Sequence, residues 1–237
     1  MTRILVIVHE PSCSSGRLRQ LWRNAGADVA EINAWNHPVP PIVDADALVV
    51  LGGSMSCQDD AEAPWLAPTR QLISRTVRAG TPFLGICLGH QLATVALGGQ
   101  VCTSDHFCLG AAEMHLTPEG KKDPLLSVYD GHRGIHFNND VAVVLPEDAV
   151  LLARDPTGQI EAVRFAERAW GVQFHPECTP EIFDAWTIGH GEKEWQQRLP
   201  WSEAVTVAET VRRDIDTVNA EEAFAARFQE LIDPEKR

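Results

Sequence analysis

The sequence predicts an α/β fold, an open and mostly parallel sheet with helices on both faces, followed by a C-terminal helical extension. Two observations lead there. Short, continuously apolar runs at 4–8, 47–51 and 83–86 alternate with helix-like segments through the first hundred residues. Strands that are apolar at every position belong to a parallel sheet covered on both sides. The chain of 237 residues, 44% hydrophobic and 22% charged, has room for one large domain, and its ordinary composition excludes a disordered or low-complexity chain.

Each element follows in order. Residues 4–8 form the first strand. A polar turn at 11–16 leads into a helix around 17–24 that ends at Gly26, and 28–32 read as the second strand. Residues 36–41 form a loop, because three prolines so close together fit neither a helix nor a central strand. The third strand, 47–51, is stopped by Gly52-Gly53. Pro64 opens a helix that runs to Ala79, with Gly80 as its stop. A fourth strand at 83–86 passes into a helix through Leu97 that ends at Gly98-Gly99. From Gln100 to Phe174 the pattern shifts to short strands at 112–116, 150–153, 160–165 and 170–174. They read as later strands and hairpins of the same domain, since no linker-like stretch separates them. Between Ser202 and Ile232, apolar Ala204, Ala208, Val211, Ile215, Val218, Ala225, Phe228 and Ile232 recur at helical steps. That is one face of an amphipathic helix or helix pair. The expected division is a domain over 1–190 and a helical extension over 191–237 packed on it.

Charge and composition exclude several function classes. A net charge of −13 argues against a general nucleic-acid or anionic-membrane binder. No apolar run approaches the roughly 20 residues that span a bilayer. Residues 1–8 imitate a short signal core but lack a small-residue cleavage site and run straight into His9-Glu10. Cys13, Cys57, Cys87, Cys102, Cys108 and Cys178 lack the spacing of a disulfide scaffold. In a chain able to build its own core they read as reduced thiols of a cytoplasmic protein.

Three stretches carry chemistry. In Gly85-Ile86-Cys87-Leu88-Gly89-His90-Gln91 a buried strand ends in Gly-x-Cys-x-Gly and enters a helix at once. This is the strand-turn-helix arrangement of a nucleophile elbow, with glycines where side chains would collide. The sulfur sits at a helix N-terminus, where the dipole and free N–H groups favour a thiolate. Gln91 lies one turn up on the same face. Alone, the pattern reads sooner as a core cysteine before a glycine-punctuated turn. The second stretch, Trp170 to Glu177, reads as a strand ending in His175-Pro176-Glu177. Residues i and i+2 of a strand share a face, so the carboxylate orients the imidazole and the other ring nitrogen can take a thiol proton. Together the two stretches supply nucleophile, base and orienter. The third is Leu51-Gly52-Gly53-Ser54, a glycine turn at the carboxyl end of a parallel strand, where open α/β sheets bind ligands and backbone N–H groups can hold an oxyanion.

These stretches, in this order, resemble the class I (triad-type) glutamine amidotransferases, most closely the stand-alone proteins related to the amidotransferase domain of GMP synthase. Softer similarity runs from His9-Glu10-Pro11 onward and covers roughly residues 1–185. The resemblance implies a flavodoxin-like sheet and hydrolysis of the glutamine side-chain amide through a γ-glutamyl thioester on Cys87. His175 would act as base and acid, Glu177 would orient it, and the N–H groups of Gly53 and Leu88 would form the oxyanion hole. Gln91, Gly52, Asn138, Asn139 and Asp140 would line the glutamine site. It implies no metal and no organic cofactor. Ser54 stands where members often carry proline, and Asn138-Asn139-Asp140 where many have His-x-Asp. No ATP-pyrophosphatase signature of the Ser-Gly-Gly type follows, so ammonia for an aminated product would go to a separate synthase.

Other features carry less. Cys102, His106, Cys108 and His115 fit no common zinc spacing. Cys57 and Cys178 read as bystanders, and Trp195 and Trp201, flanking Pro200, as anchors of the C-terminal helix. Two other functions stay open on the residues: a γ-glutamyl hydrolase acting on a peptide or amine conjugate, and a non-catalytic binding member.

Overall fold

Four parallel strands, β1 (Arg3–Val8), β2 (Asp28–Asn33), β3 (Ala47–Val50) and β4 (Phe83–Ile86), stand side by side in the order β2-β1-β3-β4. The computed structural model describes residues 1–187, 201–215 and 220–232, without the side chains of His106, Trp201, Ala204 and Asp214. The expected boundary at 190/191, Trp195, Pro200 and Val218 lie outside the described residues. Strand β10 (Ala169–Val172) joins β4 in parallel, and β9 (Ile160–Ala166), β8 (Val150–Arg154) and β6 (His115–Leu116) extend the sheet antiparallel to eight strands.

Side chains alternate across the pleat, so each uniformly apolar strand feeds two cores. Ile4, Val6 and Val8 of β1 join Leu18 and Trp22 of helix α1 (Gly16–Asn24) on one face. Leu5 and Ile7 face the other side, with Leu66, Leu72 and Ile73 of α2 (Leu66–Arg78) and Leu88 and Leu92 of α3 (Leu88–Ala96). The central sheet is therefore buried on both sides, as the apolar runs require.

Three local expectations are corrected. Helix α2 starts at Leu66 rather than Pro64, because turns ending in the bond from the Leu66 N–H to the Ala63 carbonyl occupy the residues before it. Strand β10 stops at Val172, short of Phe174. The strand expected at 112–116 is divided at Met114 between β6 and a much longer β5 (Gln100–Glu113), which pairs with β7 (Arg133–Val144) as a separate two-stranded antiparallel sheet. Its register shifts between Thr103 and Cys108. A bulge breaks the period-2 pattern by which a strand is read from sequence.

The remaining helices are α4 (Pro180–Thr187), α5 (Trp201–Asp214) and α6 (Glu221–Ile232). A third apolar cluster joins Ile182, Phe183 and Trp186 of α4 to Ala208 and Val211 of α5 and Ile135 of β7. Arg212 grips Asp184 across α4 and α5 at 2.7 Å. Helix α6 lies on α1: Phe228 meets Trp22 with ring centroids 5.8 Å apart, and the Trp22 indole N–H donates to the Ala225 carbonyl at 3.1 Å. Arg168 donates to the carbonyls of Leu231 and Ile232, both at 2.8 Å. Among the described residues no helix is long and apolar enough to cross a membrane.

Phe228 is fully buried between α6 and α1, so Phe228→Ala is expected to lower the unfolding free energy by about 3–5 kcal/mol. Urea unfolding followed by circular dichroism reads the loss; a change below about 1 kcal/mol contradicts a structural role for this contact.

Candidate active site

The carboxyl ends of β1, β3, β4 and β10 converge on one edge of the sheet, the edge where open α/β sheets place their ligands. Cys87 stands there between β4 and α3. Its φ of 50° makes it the one non-glycine residue with positive φ among those described. A left-handed backbone costs a non-glycine residue about 1–3 kcal/mol and persists only where its surroundings enforce it. The surroundings do so here. The Cys87 N–H donates to the Val172 carbonyl at 2.8 Å, and the Gly89 N–H donates to the Leu51 carbonyl at 3.1 Å. A Cβ on Gly85 would stand 2.6 Å from the Gly89 carbonyl oxygen, and one on Gly89 would overlap the Val50 carbonyl. The helix can start this close to the strands only with glycine at both places.

His175 and Glu177 meet as the sequence predicts, by a different route. Strand β10 has ended, and the chain turns through Pro176. Nδ1 of His175 lies 2.7 Å from Oε1 of Glu177, with both side chains buried. The turn is held from outside: the His175 N–H donates to the Ile135 carbonyl at 2.8 Å, and the Glu177 carbonyl accepts the Arg17 N–H at 3.1 Å. Nε2 of His175 is buried and has no aligned partner, while the Cys87 sulfur is near enough to act on the ring by charge and by hydrogen bonding. A Cβ on Gly52 would stand 3.1 Å from His175 Cε1 and 3.5 Å from Cys87 Cβ, so Gly52 sits beneath the pair.

Electrostatics separate these groups from their chemical relatives elsewhere. Burial alone would discharge His175, but the Glu177 carboxylate and then the Cys87 charge outweigh it, and the pKa is pushed up to about 10. Burial without such partners pulls His9 down to about 3 and His90 to about 4. It also pushes Cys57 up to about 11 and Cys108 to about 12, and raises Cys13 and Cys178 well above the ordinary thiol range. Those four thiols stay protonated near neutral pH.

A cavity of about 230 Å³ opens beside Cys87, walled by Gly53, Ser54, Gln91, Phe137, Asn138 and Asp140 among others, with Asn139 at its rim. Leu88 begins α3 just past the sulfur, and first-turn N–H groups have no intrahelical acceptor. Gln91 donates from Nε2 to the Asp140 carbonyl at 2.8 Å and to Gln173 Oε1 at 3.2 Å, tying α3 to β7. Asp140 Oδ1 accepts from Thr103 at 2.8 Å. Oδ1 of Asn138 is buried without a partner. Gly52 faces the Cys87–His175 pair rather than this cavity.

Two residues stand at the site to which the sequence assigned no role. Trp186 packs against His175 with ring centroids 4.5 Å apart and the rings tilted by 54°, and its indole N–H donates to the Ser12 carbonyl at 2.9 Å. Glu10 accepts the Ser54 N–H at 3.0 Å and the Ser54 hydroxyl at 2.7 Å on its two oxygens. Only the position of Glu10, just past a strand on the ligand edge, singles it out; one tryptophan among seven is unmarked.

The family model described as Glutamine amidotransferase class-I matches residues 16–189. The glutamine amidotransferase-like protein YfeJ of Salmonella typhimurium is 30% identical over 198 residues, which are 81% of this chain and 82% of YfeJ. One subunit of the glutamine-hydrolysing GMP synthase of Natronomonas pharaonis is 32% identical over 179 residues, 75% of this chain and 89% of that relative. The chain spans only 20% and 38% of the length of the GMP synthases of Marinobacter nauticus and Tolumonas auensis. A solved glutamine amidotransferase structure from Thermotoga maritima superimposes with a TM-score of 0.81 at 20% identity, covering 98% of both chains; this is a likeness of fold.

The His175 imidazolium is expected to persist through neutral pH and titrate near pH 10, and Cys87→Ala is expected to move that titration down, because one of the charges holding the proton is gone. The folded pKa lies above the ordinary 6.5, so the stabilisation is complete below about pH 6.5 and is lost as pH rises through about 10. Nitrogen NMR of labelled histidine follows the ring; titration below pH 7 in the wild type contradicts the assignment.

Proposed function

Since the chain belongs to the class I glutamine amidotransferase family, we propose that it hydrolyses the side-chain amide of glutamine to glutamate and ammonia through a thioester on Cys87. The observation that carries this reading is the meeting of a strained, helix-capping cysteine with a buried histidine whose other nitrogen is held by a carboxylate at 2.7 Å. That arrangement is the nucleophile, base and orienter set of acyl-transfer chemistry.

In this reading glutamine occupies the 230 Å³ cavity with its amide carbon at the sulfur. The Cys87 thiolate attacks, and the N–H groups of Gly53 and Leu88 receive the developing oxyanion. The His175 imidazolium gives its proton to the amide nitrogen, the C–N bond breaks and ammonia leaves. His175 then takes a proton from water, whose oxygen displaces Cys87 and completes glutamate. Glu177 keeps the imidazole in register and its positive charge stable. Gln91 has committed its Nε2 to the cavity wall, so it meets substrate through Oε1. The buried, unpartnered Oδ1 of Asn138 accepts a donor from the amino-acid end of glutamine, beside Asn139 and the Asp140 backbone. Gly52 sets the spacing of Cys87 and His175 beneath them.

The amidotransferase domain is assigned to 1–190 and a helical extension packed on it to 191–237, in a cytoplasmic protein. Ammonia passes to a separate synthase. Support for the last point is the likeness to the Natronomonas pharaonis protein, which is itself one subunit of a GMP synthase.

The test is release of glutamate and ammonia from glutamine by the purified chain, alone and with candidate synthases. Equal amounts of the two products are expected, with a loss of about 10³-fold or more for Cys87→Ala and about 10²–10⁴-fold for Glu177→Gln. No release by the wild type under any of these conditions sinks the reading.

A further inference from the structure

The turn proposed to hold the oxyanion has little conformational direction of its own. Gly52 and Gly53 follow β3, and glycine adopts positive and negative φ about equally. The Gly53 N–H must therefore be aimed by the residues on either side. The upstream side is fixed by backbone: the Leu51 N–H donates to the Ile7 carbonyl, and the Leu51 carbonyl accepts the Gly89 N–H, both at 3.1 Å. Gly53 itself is closely packed. A Cβ there would stand 2.7 Å from Met55 Sδ, 2.9 Å from Leu88 Cδ2 and 3.1 Å from His9 Cβ.

The downstream side is fixed by a single side chain. Glu10 Oε1 accepts the Ser54 N–H at 3.0 Å, and its Oε2 accepts the Ser54 hydroxyl at 2.7 Å. Paired bonds from one carboxylate set orientation as well as distance. Glu10 is braced in turn. The Cys13 thiol donates to Oε1 at 3.1 Å, and the Cys13 N–H donates to the Glu10 carbonyl at 3.1 Å. Burial and then the Glu10 charge keep that thiol protonated, so it stays a donor. On the other side of Glu10, buried His9 accepts the Trp65 indole N–H on Nδ1 at 3.1 Å. Strand β1 and its extension thus hold both ends of the turn, Ile7 at Leu51 and Glu10 at Ser54, with only the two glycines between.

We infer that Glu10 is a positioning residue for the oxyanion turn, gripping Ser54 through both oxygens so that the Gly53 N–H stays aimed at the acyl oxygen on Cys87. Proline, which family members often carry at this place, restricts the backbone through its own ring. Here a carboxylate clamp on Ser54 does so from outside. The inference rests on the proposed thioester chemistry and adds to it a residue that acts through Ser54.

The experiment measures kcat and KM for glutamine in the wild type, Glu10→Ala, Glu10→Gln, Ser54→Ala and the double variant Glu10→Ala/Ser54→Ala. In parallel, the rate of Cys87 alkylation by iodoacetamide is followed by peptide mass spectrometry. Removing an oxyanion donor outright costs about 10²–10³-fold in kcat, so a donor that is only loosened is expected to cost about 10-fold in Glu10→Ala. Ser54→Ala and Glu10→Gln, which each keep part of the clamp, are expected to fall between, with KM within about twofold throughout, since the oxyanion exists only beyond the ground state. Adding Ser54→Ala to Glu10→Ala is expected to change kcat by less than about twofold, because the partner is already gone. Alkylation by iodoacetamide forms no oxyanion, so its rate is expected not to fall in any variant. Ser54 is exposed, so Ser54→Ala tests the clamp even where Glu10→Ala fails to fold. Unchanged kcat in Ser54→Ala and Glu10→Gln, additive losses in the double variant, or alkylation that slows in step with turnover overturns the positioning role. A wild type that releases no glutamate from glutamine overturns the underlying chemistry, and this role with it.

Discussion

Everything at this site depends on one steric constraint, the close approach of helix α3 to strands β3 and β4. Glycine at 85 and 89 lets the helix begin where any side chain would strike backbone. The same approach forces Cys87 to a φ of 50°. A residue held in that conformation projects its side chain out of a sharp turn instead of into the core. It leaves the sulfur at a helix N-terminus beside the loop that follows β3. The strain is offset by hydrogen bonds to the carbonyls of Val172, the last residue of β10, and of Leu51, just past β3.

Around this fixed point, burial makes the charges useful. A histidine inside a protein is normally neutral, as His9 and His90 are. His175 is the exception because a carboxylate and a sulfur flank it. Neither His175 nor Glu177 would be in place without elements far away in the chain. Arg17 at the start of α1 holds the Glu177 carbonyl, and Ile135 of β7 holds the His175 N–H. Trp186 of α4 covers the ring, and α5 packs over α4 in the same apolar cluster. The second sheet and the later helices thus close a site that the main sheet opens.

What can be read from the sequence follows from how local each requirement is. The elbow is legible because its steric demands fall within five residues, and glycine is the residue that meets them. The parallel strands are legible because both faces are buried and every position is apolar. The pairing of His175 with Glu177 is legible too, but strand alternation is the wrong reason for it: a turn at Pro176 brings the two together after β10 has ended. The length of β5 and β7 is hidden, since a register shift between Thr103 and Cys108 breaks the alternation. Trp186 is hidden altogether, and Glu10 is marked only by its place just past β1 and by the family similarity, not by its role. Their roles arise from contacts with Ser12 and Ser54, and no spacing along the chain announces such a meeting. Asn138, Asn139 and Asp140 are indicated only by the family resemblance; the structure places them on the cavity wall.

The central claim is that Cys87, alone among six thiols, carries the acyl group. It is tested most directly by trapping the chain with an electrophilic glutamine analogue and mapping the adduct by peptide mass spectrometry. The account predicts one γ-glutamyl-type adduct per chain, on the peptide containing Cys87, and its disappearance when glutamine competes. An adduct on Cys13 or another thiol, or labelling that glutamine does not slow, would contradict it.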